Sequence, residues 1–189
     1  MDFEGEVPTP IENSINLEDH KNYIDRYFTQ KFHIDVGVDG NDLGVLIHSN
    51  RLCVITLAPS HPIVKNETKI KNVDFQISKN VNRLDNKTSG KRKRNAQILM
   101  KSAPICFIEC DDNVQYAIQS PIPGKLIEVN EKLSECPGLL RCDYSENYFQ
   151  ECFIAIIVPK HDSPIEMITK DLLSLEDYQT AVNNRAVKK

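Results

Sequence analysis

Hydrophobic and polar positions alternate along much of this chain. Val114, Tyr116 and Ile118 fall on one side and Gln115, Ala117 and Gln119 on the other, the pattern of a half-buried strand. The turn formers Asp111, Asp112 and Asn113 precede it, so the stretch from Cys106 to Ile118 is predicted as a β-hairpin. Pro121, Pro123 and Gly124 then break the run. Lys125 to Val129 reads as the next strand, Pro137-Gly138 as a turn, and Phe153 to Val158 as a dense apolar strand. Upstream, Leu46 to Leu57 and Lys69 to Ile77 read as strands. Val73, Phe75 and Ile77 alternate cleanly, and Pro59, His61, Pro62 and Asn66 mark the turns. Short strands punctuated by Pro and Gly predict a sandwich or barrel.

A helical period takes over at both ends. From Leu17 to Gln30, Tyr23, Ile24, Tyr27 and Phe28 share one face, with Glu18 and Asp19 in the first turn. Ser163-Pro164-Ile165-Glu166 reads as a capping box with proline at the first helical position. Ser174-Leu175-Glu176-Asp177 starts a second helix, and Leu172, Leu173, Leu175 and Tyr178 can seat these turns on the barrel. The expected fold class is mainly β with flanking helices (α+β). Residues 1–16 are expected to form a disordered acidic tail, 17–180 a single domain, and 181–189 a frayed basic tail starting near Val182.

The order of these elements carries a resemblance. A hairpin is followed by SPIPG (Ser120–Gly124), EVNEKL (Glu128–Leu133), PGLL (Pro137–Leu140), a polar loop, FIAIIVP (Phe153–Pro159) and a helix. This spacing resembles the glycine cleavage H protein and the wider barrel-sandwich hybrid (lipoyl) family. In that family a lysine at the hairpin tip, a few residues before the Ser-Pro turn, carries lipoate or biotin. Here the tip is Asp111, Asp112 and Asn113. Lys101 precedes the hairpin and Lys125 lies in the following strand. The resemblance therefore implies the carrier architecture without its covalent cofactor, and no cofactor is expected.

Composition narrows the function classes. The 189 residues carry a net charge of −4, which argues against a general nucleic-acid or membrane coat. No apolar stretch approaches the roughly 20 residues that span a bilayer. The start, MDFEGEVPTP, is acidic and has no apolar core, so neither a secretory signal nor a basic mitochondrial presequence is expected. On that expectation, the sequons at Asn66 and Asn86 read as chance. The six cysteines form no C-x-x-C pair and have no histidine at ligand spacing. They read as reduced thiols, with Cys53, Cys106 and Cys152 inside apolar strands. No metal site is expected. Ser60 sits in no G-x-S-x-G elbow, and His61 reads as a turn residue rather than a base, so no catalytic residue is assigned and no enzyme is expected.

One charge feature stands apart. Lys87, Lys91, Arg92, Lys93 and Arg94 place five cations within eight residues of an acidic protein. They are either a solvated loop, or a nuclear-import signal and patch for an acidic partner such as actin or an RNA backbone. No aromatic residue is interleaved, so direct nucleic-acid binding through base stacking is not expected.

Three further strings add a second resemblance: Asp25 to Thr29 (DRYFT), His48 to Pro62 (HSNRLCVITLAPSHP) and Asn86 to Leu99. Together they resemble the Abitram (Simiate) family over about Tyr23 to Tyr178. That resemblance implies an actin-binding protein, of monomer, filament or both, found in nuclear speckles, cytoplasm and actin-rich cell projections. It implies links to actin polymerisation, filopodium dynamics and neurite branching. The residues themselves contain no short helix followed by a basic LKK motif. The alternative is a nuclear adaptor in transcription or RNA processing that acts through protein–protein contacts. The resemblance supplies no binding residues, and the basic cluster is chosen on charge alone.

Overall fold

Burial on one face or on two decides how each strand reads in the sequence. The computed structural model describes residues 23–141, 149–160 and 164–187. A short helix α1 (Tyr23–Tyr27) leads into β1 (Phe28–His33), β2 (Leu43–His48) and β3 (Cys53–Leu57). Helix α2 (Pro62–Lys65) precedes β4 (Ile70–Asp74), β5 (Gln76–Ser78), β6 (Val81–Asn82) and β7 (Ile98–Leu99). Then come β8 (Pro104–Cys110), β9 (Gln115–Gln119) and β10 (Gly124–Val129). Helix α3 (Lys132–Glu135) is followed by a 3-10 turn over Pro137–Arg141, α4 (Phe149–Cys152) and β11 (Ala155–Val158). The described chain closes with α5 (Ile165–Ile168) and α6 (Leu175–Val187).

The strands form a six-stranded sheet in the order β1-β2-β3-β11-β10-β7, a three-stranded sheet β4-β8-β9 and a β5-β6 ribbon. All pairings are antiparallel. The architecture is thus mostly β with helices at its flanks, the class the alternation predicts. Val45, Ile55 and Ile157 of the large sheet share one core with Val73, Ile108 and Ile118 of the small one. Ile118 is fully buried opposite Cys106 and Tyr116 packs half-buried on the same core, as expected of that face, but Val114 is exposed and precedes β9. Leu46, Val54 and Ile156 lie in a second cluster with Ile24, Phe28 and Phe153. β2 and β3 are therefore covered on both faces, which is why their sequence is a continuous apolar run.

The Ser-Pro-Ile-Pro-Gly turn has a physical reason at its glycine. A Cβ on Gly124 would stand 2.6 Å from both the Val158 carbonyl oxygen and Ile157 Cγ2. Backbone leaves no room there, so only glycine lets β10 approach β11.

Several expectations are corrected. The helix expected over Leu17 to Gln30 ends at Tyr27, and Phe28 to Gln30 belong to β1. Pairing along six residues of β2, from Phe28 opposite His48 to His33 opposite Leu43, overrides the local helical period. The strand expected from Leu46 to Leu57 is two strands joined by a turn, with Arg51 at φ 73°. Pro164 is the N-cap of α5 rather than its first residue and makes no side-chain cap bond, while Ser163 lies outside the described residues. Ser174 does cap α6: its Oγ accepts from the Asp177 N–H at 3.1 Å. That helix runs to Val187, so residues 182–187 are helical and not a frayed tail. Cys152 ends helix α4 instead of lying in a strand, and it is disulfide-bonded, so the reading of all six thiols as reduced fails there. Residues 1–16, the first part of the expected N-terminal helix and Cys142 lie outside the described residues.

Candidate functional site

The basic cluster lies in the connection from β6 to β7. Gly90, at φ 67°, opens a turn in which the Lys93 N–H donates to the Gly90 carbonyl at 3.0 Å. Ser89 and Arg94 exchange backbone bonds at 3.1 and 2.9 Å around that turn. Lys93 and Asn95 also take positive φ, at 49° and 64°. Lys87, Lys91, Arg92 and Arg94 are exposed and Lys93 is half-buried. None of the five forms an ion pair among the described residues. Their charge faces water uncompensated.

The base of this loop is tied down by long-range side-chain bonds. Asn86 Nδ2 donates to the carbonyls of Leu126 (3.0 Å) and Ile127 (3.2 Å), and its Oδ1 accepts from the Gln97 N–H at 2.8 Å. One residue thus closes the loop on itself and fastens it to β10. Buried Arg83 donates through Nε and Nη2 to the Pro104 carbonyl (3.1 and 2.8 Å) and through Nη1 to Gln97 Oε1 at 2.6 Å. Gln97 Nε2 in turn donates to the Asn82 carbonyl at 2.7 Å. Lys125 Nζ reaches the Arg92 carbonyl at 2.8 Å, so the loop folds toward β10. Composition alone reads this stretch as a polar connection. The anchors Arg83, Asn86 and Gln97 leave only a faint trace, three long polar side chains flanking a strand edge.

The tip with Asp111, Asp112 and Asn113 is built differently. The β8–β9 hairpin turns there, with Asn113 in the left-handed region at φ 61° and Val114 N–H donating to Asp112 Oδ1 at 3.1 Å. Its three residues are exposed. Lys69 lies 3.5 Å from Asp111, and Lys71 2.7 Å from Glu109, so the acidic charge is partly matched. Lys101 pairs with Asp171 away from the tip, at 2.5 Å.

A third cluster was not foreseen. Asp42 is fully buried, and Arg185 of α6 donates to its two oxygens at 2.7 and 3.1 Å. Arg185 also reaches Asp35 at 2.9 Å. Ser60 Oγ donates to Asp42 Oδ2, and Tyr178 OH donates to Ser60 Oγ at 2.7 Å. Burial pushes the Asp42 carboxyl up, but the bonds from Arg185, Ser60 and the Asp35 N–H outweigh it and hold it below its usual range. His61 turns away from Ser60. Its Nδ1 accepts from the Ile63 N–H at 3.2 Å and its Nε2 meets Asn41 Oδ1 at 3.1 Å. Burial pushes its pKa down to about 4. His61 is a turn residue, as expected, but a buried one that caps α2. The cluster locks α6 to the barrel, and Tyr178 stacks on Phe32 with ring centres 4.0 Å apart. Among the described residues, no three His, Cys, Asp or Glu side chains form a metal cluster, and no helix is long and apolar enough to cross a membrane.

Comparison with known proteins adds kinship. The chain is 45% identical over 163 residues to protein Abitram of Danio rerio, covering 86% of this chain and 89% of that one. It is 42% identical over 186 residues to protein Abitram of Homo sapiens, covering 98% and 96%. It is 34% identical over 164 residues to protein Abitram of Dictyostelium discoideum, covering 85% and 87%. No family model matches. Among solved structures, the glycine cleavage system H protein of Mycobacterium marinum superposes with a TM-score of 0.50 at 10% identity, covering 80% of this chain and 94% of that one. That likeness shows the fold, an H-protein-like barrel sandwich.

Proposed function

The chain belongs to the Abitram family, and on that premise we propose that it is a non-enzymatic actin-binding protein of nucleus and cytoplasm, acting on actin polymerisation and on filopodium and neurite dynamics. The observation that supports this reading is the basic loop. Lys91, Arg92 and Arg94 are exposed and unpaired among the described residues, on a chain of net charge −4, and Asn86 holds the loop in place. A fixed cationic loop offers an acidic protein surface both attraction and register. The tip at Asp111 to Asn113 has no lysine, which supports a scaffold without lipoate or biotin; an intact mass heavier by one such group would refute that part.

Co-sedimentation with actin filaments tests the main reading. Full-length protein should pellet with filaments at low salt and less so as salt rises, because exposed charges are screened within about 8 Å at physiological ionic strength. Replacing Lys91, Arg92, Lys93 and Arg94 by Gln should abolish most of that binding. Equal pelleting of both proteins at every salt concentration removes the loop from the interaction. A second reading, a nuclear adaptor in transcription or RNA processing, draws on the same four cations as an import signal. It is favoured if the four-site variant loses its nuclear fraction while wild type fails to pellet with filaments.

A further inference from the structure

The basic loop runs into an open sheet edge. β7 is the outermost strand of the six-stranded sheet, with β10 on one side and no strand on the other among the described residues. Its register fixes which groups face outward. The Leu126 N–H donates to the Gln97 carbonyl at 2.8 Å, Ile98 stands opposite Lys125, and Leu99 stands opposite Gly124. Hydrogen-bonded and non-bonded pairs alternate along an antiparallel ladder. The Ile98–Lys125 pair is therefore non-bonded, and the N–H and C=O of Ile98 point away from β10. Ile98 and Met100 are 66% and 68% exposed, while Leu99 between them is fully buried. Two apolar side chains, the outward-facing N–H and C=O of one residue, and an anchored cationic loop thus meet at one edge.

We propose that this edge is a docking site for an extended acidic segment of a partner protein. The segment adds to β7 as a strand, lays apolar side chains on Ile98 and Met100, and sets carboxylates against Lys91, Arg92 and Arg94. This deepens the reading of the basic loop given above and rests on it. Strand addition takes affinity from main-chain bonds and specificity from alternate side chains, and both are on offer here. A second copy of this chain is disfavoured as the occupant, because pairing two such edges would press two cationic loops together. RNA is disfavoured too. The sequence between Phe75 and Phe107 holds no aromatic residue, and single strands bind such grooves largely by stacking on aromatic rings.

The test uses full-length protein and a fluorescein-labelled ten-residue peptide of alternating valine and glutamate, read by anisotropy. Three comparisons accompany it: the fully N-methylated peptide, a decamer of uridine, and the protein variants Ile98→Ser/Met100→Ser and the four-site Gln loop. The N-methylated peptide keeps side chains and charge but cannot donate ladder bonds. It should bind on the order of tenfold more weakly, as should the parent peptide to either protein variant. The proposal is overturned if the N-methylated peptide binds within about twofold of the parent, or if the uridine decamer binds more tightly than the peptide. Filament co-sedimentation of the same variants separates the two readings. Peptide binding lost in Ile98→Ser/Met100→Ser with pelleting unchanged supports the docking site and counts against actin as its occupant. Pelleting lost only in the four-site variant, with peptide binding insensitive to both variants, overturns strand docking and leaves the basic loop standing.

Discussion

Two turns of this barrel contrast in how they are held. The acidic tip at Asp111 to Asn113 is held by backbone and exposed contacts: a left-handed Asn113, a bond within the turn, the Asp111 N–H on the Lys69 carbonyl at 3.0 Å, and two exposed ion pairs to Lys69 and Lys71. The basic loop at Ser89 to Arg94 closes its own turn and adds side-chain anchors at its base, with Asn86 reaching β10 forty positions away and Arg83 buried beneath it. Local bonds are enough to reverse a hairpin. Long-range side-chain bonds fix where a loop stands relative to the sheet. The tip at Asp111 to Asn113 is a plain turn, and the connection that looks like a linker is the held element.

The contrast can be broken from either side. The largest effect comes from Ile118→Asp, which buries an unpaired carboxylate behind the hairpin. It should destabilise by about 4 kcal/mol or more in urea unfolding, and a near-native midpoint would mean that the hairpin is not part of the core. Acid should act on the same side next. His61 meets Tyr116 of β9 edge-on, with ring centres 4.8 Å apart, and Asn41 bridges His61 to the Ala117 carbonyl. Its pKa falls from 6.5 to about 4 on burial. The unfolded chain therefore takes up the proton first, and stability is full above about pH 6.5 and falls as pH drops toward 4. The loss is on the order of 3 kcal/mol. His33 is also lowered, by burial and then by Lys101, and adds in the same direction. A His61→Gln variant should show a flatter profile over that window; an unchanged slope would assign the titration elsewhere.

Smaller effects sharpen the comparison. Asn86→Ala leaves two carbonyls and the Gln97 N–H without their partner, and should lower stability by about 2 kcal/mol. Amide exchange should quicken through residues 87–97 while the β8–β9 turn is unaffected; equal quickening of both turns would erase the distinction drawn here. Asn113→Lys puts an ordinary residue at a left-handed position that asparagine tolerates better, and should cost about 1 kcal/mol without unfolding the protein. Smallest of all, neutralising Lys91, Arg92, Lys93 and Arg94 together should change stability by less than about 0.5 kcal/mol, because exposed charges contribute little. A large drop in melting temperature there would make the loop part of the scaffold.

Alternation made the β8–β9 hairpin legible, because its strands have one buried and one wetter face. The same signal was silent for β2 and β3, which are covered on both sides. β1 was hidden by a competing helical period, since Phe28, which opens β1, continues the apolar spacing of Tyr23, Ile24 and Tyr27 in α1. The five cations were visible as composition, but their fixed position was not. It depends on Asn86 meeting Leu126 and Arg83 meeting Pro104, contacts between segments that no local pattern relates. The lock of α6 was illegible for the same reason: a lone Asp42 and a lone Arg185 look like ordinary surface charges.

That lock has a consequence for the order in which the chain becomes itself. Asp42 is made 143 positions before the arginine that neutralises it. Before α6 packs, Asp42 has the Ser60 hydroxyl and the Asp35 N–H as partners but no counter-charge. A chain shortened before residue 185 would keep Asp42 in its interior without a counter-charge, and is expected to be less stable than one that carries α6.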